Sequence, residues 1–159
     1  MTSLNSELII DSGVIRHNIS YIKGKIKNKS NFMAVIKADA YGHLLEKLVP
    51  DIDDIVDGYG VVRISEAKKI RKFSDKKVLL MQGVYTQPDH KKSIDLNLDL
   101  VVHNNDQFKL VAKNSNFSNL WMKVNTGMNR LGFDIDEFID IYNEYLNKVG
   151  QTRSGLPSR

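Results

Sequence analysis

Apolar runs of strand length alternate with segments of helical period along this chain, and the alternation returns at roughly 20–30 residues. Strand-like runs occupy Glu7–Ile10, Phe32–Lys37, Gly58–Val62, Val78–Gln82, Leu98–Val102 and Leu120–Val124. All but the first and third are nearly continuous in apolar residues, as expected of strands covered on both faces. Between them lie amphipathic stripes. Val14, Ile15, Ile19, Ile22 and Ile26 form one, with Asp11 or Ser12 as its N-cap, and Ala67, Ile70 and Phe73 suggest a second. Asn104 with Gln107, and Asp134 with Glu137, have capping-box spacing. The first pair precedes Phe108, Leu110 and Val111; the second precedes Phe138, Ile139, Tyr142 and Leu146. Pro88 stands where a first helical turn accepts it.

A β/α unit repeated about five times implies a parallel sheet, either an open doubly wound sheet or part of an eightfold barrel. No G-x-G-x-x-G or G-x-x-x-x-G-K-[ST] run follows the first strand, which weakens the nucleotide-binding open sheet. The two most distinctive segments favour the barrel. Lys37 ends the apolar run Phe32–Ile36, with Tyr41 and Gly42 soon after; Lys123 lies within Leu120–Val124, and a glycine-containing turn then delivers Arg130. Both segments fall at or near the C-terminal ends of strands, where the active sites of β/α barrels gather. A lysine presented from a buried strand can lose its proton and attack a carbonyl, which is Schiff-base chemistry.

Composition excludes several other classes. The 159 residues suit one domain, and 42% apolar content is enough for a packed core. The net charge of +4 arises from 23 basic and 19 acidic residues, with basic pairs such as Lys68-Lys69 and Lys91-Lys92 that read as solvated helix faces. Nucleic acid is therefore not the expected partner. With no cysteine there is neither disulfide nor thiolate chemistry, and His17, His43, His90 and His103 lack metal-ligand spacing. No metal site is expected. The N-terminus has neither a basic nor an apolar leader region, and no apolar run has the length of a membrane span, so the expectation is a cytoplasmic protein with no membrane contact.

A closed barrel takes about 250 residues and eight units, more than this chain supplies. The expected organisation is a partial barrel over residues 1–149, the front part of a longer protein, and a disordered tail over 150–159. That tail has arginine but no lysine, against the lysine-rich composition before it. It could arise from a frameshift or premature stop, or be an ordinary chain end.

The segment Val35-Ile-Lys-Ala-Asp-Ala-Tyr-Gly-His43 resembles the pyridoxal-phosphate attachment motif of the alanine racemase family, and Lys123-Val-Asn-Thr-Gly-Met-Asn-Arg-Leu-Gly-Phe133 resembles its second signature. Val56-Asp-Gly-Tyr-Gly-Val-Val-Arg-Ile-Ser-Glu-Ala67 is similar to the family's second strand and helix entrance. The resemblance covers roughly residues 7 to 148. It implies a fold-type III pyridoxal 5'-phosphate enzyme, a barrel followed by a β domain, homodimeric, interconverting L-alanine and D-alanine for the cell wall. By that resemblance Lys37 holds the cofactor and serves as one catalytic base, and Tyr41 hydrogen-bonds its phosphate. Arg130 approaches the cofactor's phenolic oxygen and binds the substrate carboxylate. Lys123 matches a lysine that some members carry carbamylated.

The chain departs from the pattern at Asn125, where an aspartate is usual, and at Leu44, where a glycine is expected. It also stops before the family's later cofactor-binding segments and before the tyrosine that acts as the opposite-face base. The 159-residue chain is accordingly expected to have little or no racemase activity alone. The alternatives are a barrel-only pyridoxal-phosphate-binding protein without turnover and a racemase of broader amino-acid specificity.

Overall fold

The computed structural model of the chain describes residues 7–26, 30–113 and 120–154. Five parallel strands, β1 (Met33–Val35), β2 (Gly58–Val61), β3 (Lys77–Leu80), β4 (Asp99–Val102) and β5 (Leu120–Met122), form one sheet in unbroken sequence order. That order decides between the two architectures. A doubly wound sheet reverses direction and carries helices on both faces. Right-handed crossovers between strands added always on the same side place every helix on one face, as in a barrel wall. The register agrees. Tyr59 and Val78 share one rung and Val61, Leu80 and Leu100 another; all five join the helices in a single buried core. The intervening rung, Val35, Gly60, Leu79 and Asp99, faces the other way.

On that inner face Asp99 is buried, accepting from Trp121 Nε1 at 2.9 Å and paired with Lys77 Nζ at 3.3 Å. Pairing is what permits a carboxylate there, since an unpaired buried charge is costly.

The helical layer contains α1 (Ser12–Lys25), α3 (Leu45–Ile52), α4 (Ile64–Ile70), α5 (Gln87–Asp95), α6 (Asn105–Ala112) and α7 (Ile135–Ser154). Asp11 caps α1 by accepting from Val14 N at 3.1 Å, so of the two expected caps the aspartate is used. Pro88 lies in the first turn of α5, whose N-cap is Thr86. Helix α3 had no counterpart in the sequence reading. Its Leu45, Leu48, Val49 and Ile52 are all buried, at helical spacing. Burying four such side chains contributes about 6–12 kcal/mol. That outweighs the roughly 3 kcal/mol that Pro50 costs inside the helix.

Several expectations are corrected. Glu7–Ile10 forms no strand: no neighbour pairs with it among the described residues, and Leu8 and Ile9 are exposed. Phe73 lies beyond the end of α4 and is exposed. On α7 the core face is Phe138, Ile141 and Tyr145, whereas Ile139, Tyr142 and Leu146 are turned to solvent. Helix α7 also runs on to Ser154, into the segment expected to be a separate tail, and residues 155–159 lie outside the described residues.

The capping box at Asn104 forms only in part. Asn104 Oδ1 accepts from Gln107 N at 2.9 Å, but the Gln107 side chain does not return to Asn104. Its Oε1 accepts from His103 N at 3.1 Å and its Nε2 donates to Gln82 O at 2.8 Å, tying the ends of β3 and β4 together. A buried amide must satisfy both of its ends, and this bridge does so. Gly83 lies against the bridge at φ +70°, where an added Cβ would sit 2.2 Å from Val101 O.

Candidate active site at the C-terminal edge of the sheet

Beyond β1 the ladder continues through Ile36 N to Gly60 O at 2.9 Å, and the chain then enters α2 (Lys37–Tyr41). This is a single left-handed turn. Ala38, Asp39, Ala40 and Tyr41 have φ of 52°, 54°, 56° and 54°, and Gly42 follows at φ 88°. Non-glycine residues in this conformation cost about 1–2 kcal/mol each. Four in succession persist only where the surroundings over-determine them, a condition typical of functional sites.

The surroundings here are identifiable. Ala40 is buried, and its N–H donates to Ile36 O at 2.9 Å. Asp39 Oδ1 accepts from Leu45 N at 3.2 Å, which fixes the far end of the turn to the start of α3. Glu66, buried on α4, accepts from Asp39 N at 3.4 Å through one oxygen, and from Val62 N at 3.1 Å and Arg63 N at 2.9 Å through the other. Glu66 therefore joins the turn after β1 to the end of β2. Leu44 adds a further left-handed residue at φ 57°, the backbone conformation that makes glycine the easier choice there.

The turn carries Lys37 half-buried at the sheet edge, with Nζ 5.9 Å from the centroid of the exposed Tyr41 ring. Four strands away, Lys123 N donates to Val102 O at 2.9 Å, extending β5 and bringing Lys123 half-buried to the same edge. The loop that follows closes on itself, with Phe133 N donating to Lys123 O at 2.9 Å and Asn125 N to Phe133 O at 2.8 Å. Asn125 organises its interior: Oδ1 accepts from Gly127 N at 3.1 Å and Asn129 N at 3.0 Å, while Nδ2 donates to Asn129 Oδ1 at 2.8 Å. Gly132 closes the loop at φ 126°, where a Cβ would meet Asn125 N at 2.6 Å. Arg130 is exposed on the loop's outer end.

Lys37, Lys123 and Arg130 line one cleft of about 380 Å³, together with Gln82 and Tyr85. Three cations line it and no carboxylate does. Among the described residues none of the three takes part in an ion pair. A concave site so unbalanced suits a ligand with more than one anionic group. The structure thus brings Lys37, Lys123 and Arg130 together, with Tyr41 beside Lys37. The sequence reading assigned no role to Asp39, Glu66, Tyr85 or His103. Only the capping-like distance of Glu66 from Arg63 hinted at the second of these. No group of residues that could hold a metal ion, and no helix long and apolar enough to cross a membrane, occurs among the described residues.

Residues 10–156 match the family described as "Alanine racemase, N-terminal domain". An alanine racemase of Mannheimia succiniciproducens is 39% identical over 142 residues, covering 87% of this chain and 39% of that protein. The structure of alanine racemase from Acinetobacter baumannii superposes with a TM-score of 0.81 at 27% identity, covering 87% of this chain and 42% of the other. A Bartonella henselae alanine racemase with covalently bound pyridoxal phosphate superposes with a TM-score of 0.75 at 19% identity, over 87% and 42% of the two chains; that likeness shows the fold alone. The chain spans about two-fifths of the length of these relatives. With its five-stranded barrel wall and matched residues, the chain belongs to the alanine racemase N-terminal domain family.

Proposed function

We propose that the chain is the front part of the barrel of a pyridoxal-phosphate-dependent alanine racemase, an enzyme of D-alanine supply, and that Lys37 is its cofactor-attaching residue. The observation that supports this best is the shared cleft: an amine on a strained turn faces two further cations with no carboxylate between them. The donor set fits the cofactor, with one amine for its aldehyde, and cationic and hydroxyl groups for its anionic oxygens. Pyridoxal phosphate supplies the carbonyl that a lysine can attack and an electron-withdrawing ring that acidifies the substrate's Cα proton.

The protein's own groups do the rest. Lys37, anchored by the turn, would hold the cofactor and serve as one of the two bases at Cα. Tyr41, exposed beside Lys37 and outside the cleft lining, would donate its hydroxyl to the phosphate. Arg130 presents a planar fork that suits a carboxylate or a phenolic oxygen. Lys123, if carbamylated, would be an anion able to orient that guanidinium. Racemisation requires a second base on the opposite face, and the chain spans about two-fifths of the length of its relatives. Little turnover by this chain alone, and pairing into the family's homodimer, belong to the same proposal.

Adding pyridoxal phosphate to the purified chain and recording the visible spectrum tests the reading. A band at about 420 nm that is lost in Lys37→Ala is the expected result. A band of equal size in the variant would overturn it. Incubation with L-alanine, assayed for D-alanine, measures how much turnover the chain supports.

A further inference from the structure

The cleft has another polar wall, built from the residues that follow β3 and β4. Tyr85 lines the cleft with Lys37, Lys123 and Arg130. Its hydroxyl lies 3.2 Å from Nε2 of His103, which directly follows β4 and is buried, and the two rings meet edge to face with centroids 6.2 Å apart.

The surrounding hydrogen bonds decide where the proton sits. Asn104 Oδ1 is committed to Gln107 N at 2.9 Å, which leaves Asn104 Nδ2 facing His103 Nδ1 at 3.4 Å. An amide NH₂ can only donate, so Nδ1 is the acceptor and the imidazole proton lies on Nε2. That proton is directed at the Tyr85 oxygen. Tyr85 thus accepts from His103, and its own O–H is free to donate in another direction. Gln107, through its bond from His103 N, holds the imidazole's backbone in place.

Tyr85 is exposed and lines the cleft, so its proton can be given to a ligand seated there, where the wall carries three cations and no acceptor carboxylate. A carboxylate seated on a guanidinium by two parallel bonds keeps further lone pairs for a neutral donor. We propose that Tyr85 is a binding residue that donates a hydrogen bond to a carboxylate held by Arg130, and that His103 is the residue that positions it. The proposal deepens the reading of this cleft as a racemase site and can fail separately from it, because the test uses no cofactor.

The full chain is titrated with sodium acetate at constant ionic strength while the Arg130 Nε–H resonance is followed by NMR, with Arg130→Lys to assign it. The wild-type chain gives a saturable shift, and Tyr85→Phe weakens acetate about ten- to a hundredfold, the loss expected for one hydrogen bond to a charged partner. His103→Phe behaves like Tyr85→Phe, while His103→Gln, which keeps an N–H donor, retains most of the affinity. Nitrogen-15 spectra place the His103 proton on Nε2. Four results would each overturn the proposal: no saturable shift in the wild type, equal affinity in Tyr85→Phe, a dependence on Tyr85 seen with inorganic phosphate but not acetate, or a proton on Nδ1. Failure of the racemase reading shows elsewhere, in a visible band that Lys37→Ala does not remove.

Discussion

Glu66 is the residue on which the strained turn leans, and two substitutions separate its tasks. One carboxylate oxygen serves Val62 N and Arg63 N, at the entrance to α4; the other serves Asp39 N, in the left-handed turn. Glu66→Gln can keep its carbonyl oxygen toward Val62 and Arg63, but it then presents an NH₂ to the Asp39 N–H, donor against donor. The Asp39 bond is long, at 3.4 Å, so its loss together with the weakening of the other two should cost about 1–2 kcal/mol. Glu66→Ala removes all three acceptors and should cost about 3–5 kcal/mol, less than three full charged bonds because Val62 and Arg63 can recruit water. At roughly 2 kcal/mol per molar urea, the midpoint falls by about 0.5–1 M for glutamine and about 1.5–2.5 M for alanine, with unchanged slope. The single tryptophan, Trp121 on β5, reports the transition by fluorescence. Amide exchange adds a local readout: Asp39 N–H should exchange faster in Glu66→Gln while Val62 N–H does not. If the two variants agree within about 0.5 kcal/mol, or if exchange at Asp39 is unchanged, Glu66 does not hold the turn as argued.

Further predictions concern the scaffold and the arginine loop. Arg71 donates to the carbonyls of Leu96, Ser74, Lys76 and Asn97, and Arg71→Met, which leaves these without their shared donor, should lower unfolding free energy by about 2–4 kcal/mol in the same urea assay. Burial pushes the His90 imidazole below its ordinary value, so the unfolded chain binds a proton the folded one resists. Stability should then be full above about pH 7 and fall, by at most about 1.4 kcal/mol per pH unit, as pH drops through the unfolded value near 6.5; His90→Gln should flatten that slope. Glu46, Asp54 and Asp57 are held below their ordinary values by Lys72, by Arg16 and by the Phe32 N–H respectively, so they act only at lower pH, below about 4.5, and do not confuse the measurement. Gly132→Ala should break the closure between Phe133 and Lys123 and shift the Arg130 resonance, with loss of protection at Asn125 N–H; an unchanged spectrum would show that the loop does not need its glycine.

Most strands were legible because parallel, doubly covered strands write themselves as nearly unbroken apolar runs, and Leu98–Val102 is such a run, whereas their order in the sheet came from the structure. Periodicity identified the helical layer less evenly. On α7 the apolar residues cover two faces, so the sequence could not tell Ile141 and Tyr145, which meet the core, from Tyr142 and Leu146, which do not. Helix α3 was hidden by Pro50, although its buried positions have regular spacing. The segment Glu7–Ile10 has strand composition but no neighbour to pair with among the described residues, and a strand is a property of the pair. At the site, the side chains with obvious chemistry, Lys37, Lys123 and Arg130, stand out as cations at the ends of apolar runs. What holds them does not. Four successive left-handed residues in Ala38-Asp-Ala-Tyr41 contradict local propensity, and only the tertiary contacts of Asp39 and Glu66 make that conformation tenable. The Tyr85–His103 pair joins residues 18 apart in sequence on adjacent strand ends, a distance no local pattern encodes.

Under the proposed function one amine, that of Lys37, is the attachment point for pyridoxal phosphate. Incubating the chain with the cofactor, reducing with borohydride, digesting, and locating the modified lysine by mass spectrometry tests it directly. A pyridoxyl group on Lys37 at near-stoichiometric yield, with little on other lysines, is the expected result. Label spread evenly over surface lysines such as Lys68, Lys91 and Lys92, or concentrated on Lys123, would contradict it.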